Sequence, residues 1–582
     1  MVIHASFLKT SDNSLIGYRL QSPLGCFDIS EDFCAKNNII IPSSGAKRVS
    51  IIDNAFRTGV TDTVQQTEDV NLVRLLLDNS IVCEYGDIFA ARHEQYFNFK
   101  RRFCFDILYD SVVSAFNNIT ILYGVRRTGK SVLLYQLVQE LLARGVSSEQ
   151  IACIELQFNT SVDDDHMQDY LSALINLGVK YVVIDELTFV RGNLGWLSFL
   201  SSQYHDIRFV LTGTDSLGLH YAHLGSCFKR DNFIHTTYIS YKEFRHLYGD
   251  VDIQSFIKSG GILSWDSVYA KEHSFIDLVS ESKGFIESSI LRNIFSALEK
   301  YETVASSHYI LYQMFITDRK RLESLLFRLL QHYSENFTIM WLGKKLASRD
   351  IGDFVDFSKK RDWVISRVDL VKELEAWFFG IVPVIALTDY TQEELSACTD
   401  FLRDMDCLVE NSEQTYVLPF FIRYNYAEIL KSVLINHFDS ISGKLKGNFT
   451  LDNLVSLVES AIGDIILESI IFIDMLKSGH AVMKIRHNNR QKIDMFYNNC
   501  FYEVKHTCNP CPQQARWFID EDLINNYYPE AFCVLYTGDT QNISYTVAEI
   551  KSSVSLEVFT EDYGRSIVVL YKNVAEFLLE ET

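Results

Sequence analysis

The hydrophobic pattern changes character along the chain. Between residues 105 and 240, short and mostly apolar runs recur: Ile119 to Tyr123, Ile151 to Leu156, Tyr181 to Ile184, Ile207 to Leu211 and Phe233 to Ile239. Stretches of helical periodicity separate them, among them Phe105 to Phe116 and the span from Lys130 to about Arg144. Ser161 is placed to cap another helix, with Asp163, Asp164 and Asp165 in its first turn, where carboxylates suit the positive end of the dipole. Apolar runs of strand length alternating with helices predict an α/β domain with a parallel sheet buried on both faces.

Outside this region the pattern differs. Residues 1 to 95 carry brief apolar stretches (Ile39 to Ile41, Leu72 to Leu77, Ile81 to Cys83) between polar turns, which predicts a small α+β accessory module without a chemical motif. From 265 to about 440, amphipathic helices such as Phe285 to Tyr301 and Arg319 to Tyr333 alternate with short polar turns. Leu342 to Ala347 and Val368 to Phe379 are spaced as a helix-turn-helix pair, and Gln392 to Asp404 precedes Cys407 to Glu410 and Thr415 to Leu418 as a helix would precede a hairpin wing. After 450, a helix carrying Leu454, Val458, Ile462, Ile465, Ile466, Ile470 and Ile473 leads into three strands, Ala481 to His487, Gln491 to Tyr497 and Cys500 to His506. Asn488-Asn489 and Asn498-Asn499 mark the turns between them. The expected division is 1–95, 96–264, 265–445 and 446–582.

Composition narrows the class. A chain of 582 residues is too long for one core and predicts roughly three to four domains. With 47% hydrophobic and 22% charged residues it is ordinary globular protein rather than disordered chain. A net charge of −21 argues against wholesale electrostatic binding of nucleic acid and leaves room for a local basic patch. The start, Met1-Val2-Ile3-His4-Ala5, lacks a basic segment before a long apolar one, and the apolar run Ala376 to Leu387 is too short for a bilayer. The 12 cysteines form no repeated frame, so reduced thiols, a cytoplasmic location and no membrane partner are expected.

The chemistry concentrates at Gly124-Val125-Arg126-Arg127-Thr128-Gly129-Lys130-Ser131, between the apolar run Ile119 to Tyr123 and the helix that follows. This order of strand, glycine-bounded loop and helix is the context of a P-loop. Gly124 and Gly129 allow backbone angles that turn successive N–H groups around phosphate, and the helix adds its unpaired N-terminal amides. Lys130 supplies charge for the β- and γ-phosphates and Ser131 a hydroxyl for Mg²⁺. Arg126 and Arg127 add positive potential at the loop mouth or meet a neighbouring subunit.

The run Tyr181 to Ile184 ends in Asp185-Glu186. Carboxylates at the C-terminal edge of a buried parallel strand stand where α/β sheets place their chemistry. Asp185 is expected to orient Mg²⁺ and Glu186 to polarise the attacking water. Thr212, in Thr212-Gly213-Thr214-Asp215-Ser216, is placed to sense the γ-phosphate from the next strand end. Arg92 to Phe103 interleaves bases with aromatics (Arg92, His93, Tyr96, Phe97, Phe99, Lys100, Arg101, Arg102). It reads either as a grip on nucleic acid or, more economically, as a segment packing its aromatics on the nucleotide-binding core.

A second constellation lies far downstream. Strand period puts Glu503 and Lys505 on one face, with Asp494 in the preceding strand and Glu468 on the helix before. Asp494, Glu503 and Glu468 are expected to hold a second divalent metal, with Lys505 positioning a water. Cys508-Asn509-Pro510-Cys511 is a single CxxC, more readily a loop before a helix than a zinc site.

Together, the loop GVRRTGKS, the strand VVIDE, the strand end LTGT and Tyr238-Ile239-Ser240-Tyr241-Lys242-Glu243-Phe244 resemble a family of prokaryotic AAA-type ATPases. The resemblance covers roughly residues 100 to 582. It implies a P-loop ATPase core, a winged-helix segment and a C-terminal α/β domain of the restriction-endonuclease-like, PD-(D/E)xK type. It also implies an arginine finger or sensor at Arg230, ahead of Ser240, although the run Gly225 to Arg230 departs from the usual glycine-arginine pair and leaves Lys229 as an alternative. Gly260-Gly261-Ile262-Leu263 resembles the landmark closing the ATPase part, without the proline common there. The function this implies is an ATP- and Mg²⁺-dependent switch governing a nuclease-like domain that acts on or near DNA, in a homo-oligomer or with a protein partner. Two alternatives stay open: a nucleotide-gated interaction protein whose nuclease fold is an inactive scaffold, and a winged-helix DNA-binding regulator.

Overall fold

The computed structural model describes residues 4–9, 15–39, 64–78, 81–114, 118–156, 162–190, 195–213, 233–263, 284, 286–300, 302–347, 387–410, 415–417, 420–437, 439, 450–487, 490–554 and 564–582. Contacts divide the chain into two compact units, Met1–Thr237 with Arg292–Phe315, and Tyr238–Leu291 with Ile316–Thr582.

The first unit begins with a sheet of β1 (His4–Lys9), β2 (Leu15–Ser22), β3 (Gly25–Ser30) and β4 (Val64–Gln66). Its larger sheet contains β5 (Ile81–Tyr85), β6 (Ile119–Gly124), β7 (Ile151–Leu156), β8 (Tyr181–Asp185), β9 (Arg208–Gly213) and β10 (Phe233–Thr236). The order is β10-β6-β9-β8-β7-β5, parallel from β10 to β7, with β5 antiparallel at the edge. Val182, Val183 and Ile184 are buried, as the unbroken apolar run requires of a central parallel strand. The helix Lys130–Ala143 lays Leu133, Leu134, Leu137, Val138 and Leu141 against Leu122, Val183 and Val210. Each such burial stabilises by about 1.5–3 kcal/mol.

Two local expectations change. Ile81 to Cys83, read as part of the accessory module, pairs with β7 instead and extends the nucleotide-binding sheet. The helix after β7 is capped by Asp163, whose carboxylate accepts the His166 N–H at 3.0 Å, and runs Asp164–Asn176; Ser161 lies outside the described residues.

In the second unit the helix Arg319–Ala347 runs well beyond Tyr333, since no proline interrupts it. Helix Gln392–Asp404 opens with a capping box between Thr391 and Glu394 and precedes an antiparallel hairpin of β11 (Leu408–Glu410) and β12 (Thr415–Val417). Leu342 to Ala347 forms the end of helix Arg319–Ala347, whereas Val368 to Phe379, the second member of the expected helix-turn-helix pair, lies outside the described residues.

The long helix Leu451–Lys477 leads into β13 (Met483–His487), β14 (Arg490–Tyr497) and β15 (Cys500–Val504), an antiparallel meander. A 3₁₀ helix, Pro512–Ile519, and the helix Glu521–Tyr527 then lead to β16 (Ala531–Tyr536), parallel to β15. With β17 (Gln541–Thr546) and β18 (Ser566–Asn573) the sheet order is β13-β14-β15-β16-β18-β17. Among the described residues no helix is long and apolar enough to cross a membrane.

One buried acid makes this unit sensitive to pH. Asp474, on the long helix, is 4% exposed and accepts the N–H of Tyr241, the first residue of helix Tyr241–Tyr248, at 2.9 Å. Burial pushes its pKa up to about 7, against the pull of that amide. A carboxyl whose pKa rises on folding favours the folded state while protonated. Its contribution is therefore full below the ordinary value of 3.8 and is lost as pH rises towards about 7. Asp474→Asn keeps an acceptor for Tyr241 without the buried charge. Chemical denaturation at pH 5 and pH 8 is expected to show the stability of the variant relative to wild type growing between the two, by on the order of a few kcal/mol. Equal pH dependence in the two proteins would contradict the assignment.

Candidate functional site

The P-loop hangs from β6, between β10 and β9 in the sheet. Gly124 stands opposite Thr236 in the β6–β10 register, with φ +146°. A Cβ there would lie 2.0 Å from the Thr236 carbonyl oxygen, so only glycine fits. Thr128 is fully buried; its hydroxyl donates to the Val125 carbonyl at 2.9 Å and lies 3.0 Å from the Thr236 hydroxyl. Thr236 in turn donates to the Tyr123 carbonyl at 3.0 Å. Gly129, at φ +83°, makes the left-handed step into helix Lys130–Ala143.

Lys130 folds back into the loop. Its Nζ donates to the carbonyls of Gly124 at 3.0 Å and Val125 at 2.7 Å. Burial pulls its pKa down to about 8, opposed by the charges of Glu186 and Asp185. A phosphate entering the loop supplies the counter-charge that burial withholds.

The acids stand at the end of β8. Asp185 is buried, and the Thr212 hydroxyl at the end of β9 donates to its Oδ1. Burial raises its pKa, with hydrogen bonds from Thr212 and then Ser131 opposing the rise. Ser131 and Asp185 are therefore in contact, and as hard oxygen donors they fit Mg²⁺. Glu186 sits in the left-handed region at φ +61°, a backbone position uncommon for a residue with a side chain. Its N–H lies 3.1 Å from Asp185 Oδ1 and 3.2 Å from Thr212 Oγ1, which fixes that turn. Arg230, Lys229 and Thr214 to Ser216 lie outside the described residues.

The aromatic and basic run before the first P-loop strand packs on the P-loop helix. His93 stacks on Tyr135 with ring centroids 3.7 Å apart, and Arg92 Nε bonds Glu84 at 2.8 Å. Arg101 bonds Glu140 at 2.7 Å, and Gln136 donates to the Phe99 carbonyl at 2.9 Å.

The downstream cluster belongs to the second unit. Asp494 Oδ2 accepts the Val504 N–H at 2.9 Å, tying β14 to the end of β15. Lys505 Nζ lies 2.7 Å from Glu503 Oε2 and 3.4 Å from Asp494 Oδ2. Burial works against the Lys505 charge, but Glu503, Asp494 and Asp464 outweigh it and hold its pKa above the ordinary value. Glu503 is 4% exposed, and burial followed by the Asp494 charge pushes its pKa up to about 8, against Lys505. Among the described residues its Oε1 has no hydrogen-bond partner.

Glu468 bonds Lys484, a fully buried ammonium on β13. Asp464 lies one turn earlier on the same helix. It accepts the N–H of His506, and its charge acts on Lys505. Gly463 makes room beside it, since a Cβ there would lie 2.3 Å from the His506 ring. The spacing of Asp464 from Glu468 puts both on one helix face, the signal in the sequence that points to it. Among the described residues no three His, Cys, Asp or Glu side chains gather as a metal-binding group. Cys511 caps the 3₁₀ helix Pro512–Ile519, and Cys508 is exposed.

Comparison with known proteins bears on the first site. The AAA domain family matches residues 116–245. No curated protein matches the sequence. Among solved structures, a Walker-type ATPase of Pyrococcus abyssi is similar at 15% identity and a TM-score of 0.28, over 56% of this chain and 95% of that one. The Aeropyrum pernix Orc1 protein in complex with DNA is similar at 12% identity and a TM-score of 0.22, over 61% and 98%. AMPPCP-bound DnaA from Aquifex aeolicus is similar at 11% identity and a TM-score of 0.20, over 58% and 89%. The stretch from the first P-loop strand to helix Tyr241–Tyr248 is thus a AAA-type P-loop ATPase domain of parallel α/β character.

Proposed function

We propose that this chain is an ATP-driven switch: its AAA-type domain binds and hydrolyses ATP, and the nucleotide state governs a nuclease-like C-terminal domain acting on DNA. The observation carrying the first part is the convergence of Lys130, Ser131, Asp185, Glu186 and Thr212 at one end of the parallel sheet. Backbone amides of Gly124 to Ser131 hold the phosphates, and Lys130 moves its ammonium from the loop carbonyls to the incoming charge. Ser131 and Asp185 would hold Mg²⁺, which would supply neutralising charge to the phosphates when bound. Glu186 orients the attacking water and accepts its proton, while Thr212 keeps Asp185 and the Glu186 amide in register. Arg230 serves as the finger from a neighbouring copy, which makes a homo-oligomer part of this reading.

The nuclease-like reading is supported by the helix and three-strand meander bearing Asp494, Glu503 and Lys505, and by the unpartnered Glu503 Oε1. Asp494 and Glu503 would hold a divalent cation there, with Glu468 or Asp464 on the helix as a further oxygen donor. Lys505 places the water. Residues 387–417, a helix followed by a hairpin, serve as the winged element that meets DNA.

One observation favours an inactive scaffold instead. Lys505 already bridges Glu503 and Asp494, and Lys484 already neutralises Glu468, so much of the acidic charge is satisfied internally. Purified full-length protein incubated with DNA and Mg²⁺ or Mn²⁺, with and without ATP, separates the two. Cleavage that responds to ATP and disappears in Asp494→Ala and Lys505→Ala is the expected result. No cleavage under any of these conditions would leave the scaffold.

A further inference from the structure

Arg102 lies outside the P-loop motif yet reaches into the loop. It is 8% exposed, and its Nη1 donates to the Thr128 carbonyl at 2.7 Å. The segment that carries it is fastened on both sides. Gln136 of the P-loop helix donates to the Phe99 carbonyl at 2.9 Å, and Arg101 bonds Glu140 of the same helix at 2.7 Å. The Arg102 carbonyl accepts the Phe105 N–H at 2.9 Å, where the next helix begins. The guanidinium is thus presented to Thr128 by a scaffold built on the helix the loop feeds.

The bonded carbonyl matters because a trans peptide is planar. Its C=O and the following N–H point in opposite directions, so a donor that holds the Thr128 oxygen outward turns the Gly129 N–H inward. The Thr128–Gly129 peptide is also the unit of the loop that flips most easily, since glycine accepts either sign of φ. Lys130 and the Thr128 hydroxyl hold the carbonyls of Gly124 and Val125. Arg102 holds that of Thr128.

We infer that Arg102 is a positioning residue for nucleotide binding, fixing the Thr128–Gly129 peptide so that the Gly129 amide faces the phosphates. This role presupposes that the loop binds ATP. Without the guanidinium the buried Thr128 carbonyl loses its donor, and the loop spends more time with that carbonyl turned towards the phosphate position. Only the unflipped fraction binds, so apparent affinity falls by that fraction. Turnover of nucleotide once bound is affected less, because Arg102 acts on the loop rather than on the reacting atoms.

The test is ATP affinity by fluorescent-analogue titration and steady-state hydrolysis with Mg²⁺, on the full chain. Arg102→Ala is expected to raise Kd and KM on the order of ten-fold or more. Its kcat at saturation stays within about three-fold of wild type. Arg102→Lys, which keeps one charged donor, recovers most of the affinity, and methylguanidinium added to the Ala variant lowers its KM without changing wild type. If Arg102→Ala does not fold, Arg102→Met keeps the apolar stem and is expected to show the same loss. Unchanged KM, a loss that falls on kcat, or no recovery by Lys overturns the role. A wild-type chain that binds no ATP removes the P-loop reading and this role together, whereas wild-type binding with unchanged Arg102→Ala affinity removes this role alone.

Discussion

Glu186→Gln is expected to bind ATP close to normally and to hydrolyse it about 10²–10⁴-fold more slowly, the range a positioned general base contributes. The turn that presents Glu186 is held by its own backbone: the N–H is bonded to Asp185 and Thr212, and φ is +61°. Glutamine preserves that turn and the size of the side chain, but its amide cannot accept the proton of the attacking water. In the variant Lys130 keeps its two loop carbonyls and the charge of Asp185, and the Ser131–Asp185 contact does not involve Glu186. Binding and chemistry should therefore separate. Equilibrium binding of a fluorescent ATP analogue, alongside single-turnover hydrolysis, reads the two steps independently. Parallel losses in both would mean that Glu186 supports the loop rather than the reaction.

The nucleotide-binding sheet was legible because its signals are local. Each parallel strand is a short apolar run, and the chemistry sits at strand ends where backbone and motif coincide, as at Gly124 and Asp185. β5 was not legible in the same way. An antiparallel edge strand carries no motif, and Ile81 to Tyr85 differs little from other short apolar stretches near it. The partners of Arg92 to Phe103 were also hidden, because alternating bases and aromatics look alike whether they face a helix or a nucleic acid. The Gln136, Tyr135 and Glu140 contacts distinguish these.

The downstream site shows a subtler limit. Strand period brought Glu503 and Lys505 to one face, and they are bonded. The partner of the helix acid Glu468 is Lys484, which the strand pattern does not reveal. A lysine on the first strand reads as a solvated charge, yet its side chain is fully buried against Glu468. Asp464, which accepts from the backbone just after Lys505, could be found only once the helix was set against β15.

Lys130→Ala is the larger perturbation. Lys130 is 6% exposed and its ammonium donates to two loop carbonyls, so alanine leaves both carbonyls without it and removes the charge that phosphate would meet. Preorganised charge in a buried site is worth roughly 3–4 kcal/mol of transition-state stabilisation, or a factor of about 10²–10³ in rate. In contrast to Glu186→Gln, both affinity and turnover should fall, because the same charge serves bound nucleotide and transition state. The most direct measurement is Mg²⁺-dependent phosphate release from ATP by the wild-type chain and Lys130→Ala at matched concentrations. Wild type is expected to release phosphate only with Mg²⁺, and the variant to do so at least about a hundred-fold more slowly. Equal phosphate release by the two proteins would contradict it.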